Sequence, residues 1–137
     1  AQNIDHLIVI NQTYYPVIDQ LLKGEYKTPF MGKIGFMVNF FGKFILKSVQ
    51  PDRKRKMKTF PMWEPATSNI DGDIIQRFAN HQEELKQKIK TCESLIEQGA
   101  VISSPANKNI VYKLATAFDI IVTHELRHFE QAKLILD

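Results

Sequence analysis

The chain has 137 residues, enough for one domain with its own core, and its 44% hydrophobic and 24% charged residues are ordinary for a globular protein. A net charge of +3 is too small to mark a nucleic-acid binder, which carries a strongly basic face. No apolar run reaches the roughly 18 residues that span a membrane, and the single cysteine, Cys92, excludes an internal disulfide. With no secretory signal visible, the expected setting is reducing and cytoplasmic, with neither nucleic acid nor a membrane as partner.

Apolar spacing predicts three strong helices and one weaker one. The first runs from about Gln2 to Lys23, with Ile4, Leu7, Ile8, Ile10, Tyr14, Val17, Ile18, Leu21 and Leu22 three or four residues apart. Pro16 is placed to kink it, and Gly24 to stop it. Residues 25–35 read as a loop. A short aromatic helix follows, about Phe36 to Val49. The stretch from about Gln50 to Gly72 reads as a long irregular segment holding Pro51, Pro61, Pro65, Trp63 and the basic run Arg53, Lys54, Arg55, Lys56 and Lys58. That run is read as a solvated loop, and Trp63 with the phenylalanines as packing over a bundle end.

The next helix is expected from an N-cap at Asp71 to about Gln98, with Ile74, Phe78, Leu85, Ile89, Cys92 and Ile96 on its buried face, so that Cys92 is buried rather than nucleophilic. Gly99 ends it, and GAVISSPANKN reads as a connector. The last helix is expected over about Asn109 to Leu136. The spacing is helical almost throughout, so the fold class is all-α and no sheet is expected. The chain opens at Ala1 without a methionine and enters a helical pattern at once. The expectation is therefore an N-terminally incomplete domain.

The chemistry lies in the last helix. His124 and His128, in THELRHFEQA, are four residues apart and stand one above the other on one helix face, an arrangement in which two imidazoles can bind one metal ion. The string from His124 to His128 also matches H-E-x-x-H of zinc proteases. That reading lacks its third ligand: the metzincin extension wants Gly and His where this chain has Gln131 and Leu134, and the chain ends too soon for a distant Glu. A third ligand then comes from upstream. His6 sits among core-facing positions in IDHLIVINQTYYP. His81 is flanked by polar residues in FANHQEELKQK and is expected to face solvent. His6 is the preferred ligand.

IDHL on an early helix, a long irregular middle and HELRHFEQA on the final helix together resemble the DinB/YfiT-like superfamily across the whole chain. The resemblance implies a four-helix bundle whose first helix is missing from this chain, and a metal site of His6, His124 and His128. Arg127 and Gln131 fit the HExRHxxQ form of many members. It further implies a divalent ion, zinc or nickel first, a small-molecule substrate such as a low-molecular-weight thiol, and a homodimer. Some members are thiol S-transferases and others hydrolases; the alternative is a non-catalytic, stress-related helical-bundle binding module.

Around the triad, Tyr14 lies two turns after His6 and is a candidate pocket residue, with core packing as the equal alternative. Asp119, Glu130 and Gln131 are candidates for hydrogen bonding to a ligand imidazole or lining its pocket. Glu125 is turned about 100° from His124 and reads as a surface or ion-pairing residue rather than a general base.

Overall fold

A computed structural model describes residues 2–52 and 72–136. The predicted N-cap Asp71, the basic run and Trp63 lie outside the described residues. In chain order the elements are α1 (Gln2–Thr13), α2 (Tyr15–Leu22), a 3₁₀ turn (Phe30–Lys33), α3 (Gly35–Ser48), α4 (Ile74–Thr91), α5 (Glu93–Glu97), β1 (Val101–Ser104), β2 (Asn107–Lys113) and α6 (Leu114–Leu136). The described residues are mostly helical, with one small antiparallel sheet among them. The described residues group into two compact units, Ala1–Tyr26 with Thr59–Ser94, and Lys27–Lys58 with Leu95–Asp137.

In the first unit the expected long N-terminal helix is two helices. Pro16 has no N–H to give to the ladder, so α1 closes with the Tyr14 amide on the Asn11 carbonyl (3.1 Å), and α2 starts afresh with Pro16 in its first turn. Gly24, at φ +71°, ends α2: its amide meets the Leu21 carbonyl and that of Glu25 meets Gln20. Leu7, Ile8, Ile10, Tyr14 and Ile18 are buried, as are Ile74 and Leu85 of α4. Two ion pairs join these helices, Asp5 to Arg77 (3.4 Å) and Asp19 to Lys88 (3.3 Å). The helix expected to run on to Gln98 breaks at Cys92, which is fully buried, as expected.

In the second unit the predicted connector is a hairpin, which corrects the expectation of no strands. Val101 pairs with Lys113, Ile102 with Tyr112 and Ser103 with Val111; the register then shifts, so that Ser104 pairs with Asn107 across the turn at Pro105 and Ala106. Side chains support the turn: the Ala106 amide donates to Ser104 Oγ (3.2 Å) and the Asn109 amide to Asn107 Oδ1 (2.9 Å). Helix α6 begins at Leu114, five residues later than expected. Against the hairpin lies α3, drawn close by Gly42. A Cβ there would meet Thr116 Cγ2 at 3.3 Å and Tyr112 Cβ at 3.5 Å. Val38, Ile102, Val111, Tyr112, Leu114, Ala117, Phe118, Ile120 and Ile121 are the buried apolar side chains among the described residues of this unit.

Candidate metal centre

The first half of α6 is anchored by Leu114, Ala117, Phe118, Ile120 and Ile121, all buried. The second half carries the histidines. His124 Nε2 and His128 Nε2 lie 3.1 Å apart, with ring centroids at 4.7 Å and planes at 78°. Both rings are half-buried. Two nitrogens bound to one zinc ion at about 2.0–2.1 Å stand roughly 3 Å apart, so this spacing fits one ion without rearranging the helix.

The rotation of α6 is fixed by the residue before His128. Arg127 Nη1 donates to the carbonyl of Ser48 (3.0 Å) and, at longer range, to that of Gln50 (3.5 Å), at the C-terminal end of α3. A guanidinium at the negative end of a helix answers carbonyls that have no partner within the helix. Val122, Leu126 and Phe129 are exposed on the face opposite the histidine pair.

His6 stands on α1 in the other unit and is buried, beside the buried Asp5 that binds Arg77. Tyr14 is buried where α1 gives way to α2. Asp119 is exposed and, five residues before His124, is turned about 140° away from it. Gln131 is exposed on the same side of α6 as the pair. Glu130 pairs with Lys133 at 3.1 Å. Glu125 is half-buried.

His81 corrects the expectation of a solvent-facing residue. It is 4% exposed and Asn11 beside it is fully buried. Asn11 Nδ2 lies 3.0 Å from His81 Nε2, and Tyr15 Oη 3.2 Å from His81 Nδ1. An amide N–H can only donate, so Nε2 accepts, and Nδ1 carries the proton and donates to the tyrosine oxygen. Burial holds His81 below its ordinary pKa, partly opposed by Glu84. It is a neutral structural histidine that joins α1 and α2 to α4. The signal was present in the sequence: Ile74, Phe78, His81 and Leu85 share one helix stripe. Burial also raises the Cys92 thiol above its usual range, which keeps it protonated and poorly nucleophilic.

Comparison with family models, with curated proteins and with solved structures returns no match.

Proposed function

We propose that this chain binds one divalent ion, zinc or nickel, through His6, His124 and His128, in a bundle of the DinB/YfiT-like kind, and acts on a small molecule as a metal-dependent transferase or hydrolase. The observation that carries the reading is the His124–His128 pair, with its ring nitrogens 3.1 Å apart on one helix face. The proposed site takes one ring nitrogen from each of the three histidines.

Three neutral imidazoles leave a coordination position open, the arrangement of catalytic rather than structural sites. When bound, the ion supplies a Lewis acid at which water is acidified or a thiol is held as thiolate. The chain's own part is to hold the imidazoles: Arg127 fixes α6 against rotation, and burial of His6 keeps its ring from competing water. A low-molecular-weight thiol is the substrate class proposed first, in a reducing cytoplasmic setting. A homodimer belongs to the same proposal.

The test is metal content by elemental analysis of untagged protein, wild type beside His6→Ala. About one ion per chain in the wild type, lost in the variant, is the expected result. Full metal retained by His6→Ala would remove His6 from the site. A wild type that takes up no ion after incubation with zinc or nickel would end the metal reading altogether.

A further inference from the structure

The outer face of α3 is not used by the metal site. Phe36, Phe40 and Phe44 recur every four residues along it and are 73%, 59% and 50% exposed. Phe30, in the 3₁₀ turn ahead of the helix, is 75% exposed. Phe40 and Phe44 stack on each other, centroids 6.3 Å apart, so the rings present a continuous apolar strip. At about 100° per residue, Lys43 and Lys47 fall within the same arc of roughly 100° as the three phenylalanines. The helix cannot turn this strip inward. Its opposite side carries Val38 and Gly42, both buried, with Gly42 in contact range of Tyr112 and Thr116.

The charge along the strip is positive, with the Asp52 carboxylate at its C-terminal end, where it lines a pocket with Phe44, Lys47 and Gln50. Residues 27–51 hold Lys27, Lys33, Lys43 and Lys47 and no Asp or Glu; the first carboxylate after them is Asp52, beyond the end of α3. Among the described residues, none of these lysines makes an ion pair.

This sign decides among occupants. A second copy presenting the same face across a two-fold axis would set lysine against lysine. A peptide ligand needs a groove along the strip, and the pocket lined by Phe44, Lys47, Gln50 and Asp52 lies at its C-terminal end and does not reach Phe36 or Phe40. An anionic lipid surface accepts both features: the rings enter the boundary between headgroups and acyl chains, and the lysine ammonium groups stay among the phosphates. We propose that the Phe36–Phe40–Phe44 face of α3, with Lys43 and Lys47, docks the protein on an anionic lipid surface. No described helix is long and apolar enough to cross a membrane, and this binding needs none, because the helix lies along the interface. The expectation of no membrane partner rested on the absence of a spanning run, which does not bear on this mode. The inference is independent of the metal site.

The test is flotation of the full chain with vesicles of phosphatidylcholine alone and of phosphatidylcholine mixed with phosphatidylglycerol. The wild type is expected to float with the mixed vesicles, to stay behind with the neutral ones, and to be released by added salt. Phe40→Ser/Phe44→Ser and Lys43→Glu/Lys47→Glu are each expected to lower the bound fraction about tenfold or more at fixed lipid. Val122→Ser/Leu126→Ser, on the exposed strip of α6, is expected to float as the wild type does. Circular dichroism confirms that the helices persist in each variant. Failure of the wild type to float with the mixed vesicles overturns the proposal. So does equal binding to neutral vesicles, an undiminished bound fraction in both α3 variants, or an equal loss in the α6 variant.

Discussion

His124 Nε2 and His128 Nε2 lie 3.1 Å apart on one face of α6. Without an ion, one of these nitrogens must carry a proton and donate it to the other's lone pair, because two bare lone pairs or two N–H groups at this distance repel. Were an ion bound, both Nε2 lone pairs would face it, and the imidazole that carried its proton at Nε2 would carry it at Nδ1 instead. Metal binding by this pair therefore selects one tautomer, with both rings protonated at Nδ1.

Metal binding by this pair would be read as a thermal shift. A ligand held by the folded state alone stabilises it, by about 2.7 kcal/mol at a hundredfold excess over the dissociation constant. Zinc in such excess is expected to raise the melting temperature of the wild type, while His124→Ala and His128→Ala, scanned with and without zinc, show no rise. A shift of wild-type size in both variants would place the zinc elsewhere on the chain.

Arg127 gives a second prediction. Its Nη1 donates to the Ser48 carbonyl at 3.0 Å, and Ser48 is buried. Arg127→Ala leaves the carbonyls at the end of α3 without that donor. The expected loss is about 1.5–3 kcal/mol of unfolding free energy, the range for a hydrogen bond with one charged partner. Arg127→Lys keeps the charge but not the planar fork and should fall between the two. Urea unfolding of the three proteins, compared at constant m-value, reads this directly.

The sequence disclosed what depends on period and spacing, and hid what depends on partners. Helix α3 was expected over about Phe36 to Val49 and is found at Gly35–Ser48, because its apolar period is uninterrupted. The facing of His124 and His128 follows from their separation by four residues. The hairpin was missed for a definable reason. Ile110, Leu114 and Phe118 lie four apart, a helical spacing that does not mark the boundary between strand and helix at Leu114. What overrides that spacing is the run Ile110-Val111-Tyr112, β-branched and aromatic, folding back through Pro105 and Ala106 onto Val101 and Ile102. His81 was misplaced because its polar neighbours in sequence occupy other faces of α4, and its partners, Asn11 and Tyr15, lie some seventy residues earlier.

Gly42 is a third place to test the packing. It is buried, and a Cβ there would already stand 3.3 Å from Thr116 Cγ2. A large side chain must push α3 off the start of α6 and off Tyr112 of β2. Gly42→Leu is expected to destabilise by about 1–3 kcal/mol, the cost of overpacking, despite leucine's better helix propensity. Chemical denaturation checks it. A variant as stable as the wild type would mean that α3 can move outward freely.

The last prediction concerns acid. His81 is buried and neutral, receives the Asn11 amide at Nε2 and gives its Nδ1 proton to Tyr15. Burial lowers its pKa from the ordinary 6.5, with Glu84 pulling weakly the other way. The unfolded chain therefore takes up a proton near that ordinary value while the folded chain refuses it, and below it the unfolded state binds more protons. Stability contributed at this residue is complete above the unfolded value. It falls as the pH drops through it, and stops falling once the pH is below the folded value. Protonating Nε2 in place would also set an N–H against the Asn11 amide, so the ring cannot charge without losing that bond or turning the amide round. His81→Gln removes the titration. Its unfolding free energy at about pH 7.5 should be lower than the wild type's by roughly 1–3 kcal/mol, because Asn11 and Tyr15 lose a buried partner. Between about pH 7.5 and about pH 5.5, however, its stability should decline less steeply than the wild type's. The other three histidines are present in both proteins, so the difference in slope belongs to His81. Parallel slopes in urea unfolding at the two pH values would show that His81 titrates in the folded protein as it does in the unfolded chain.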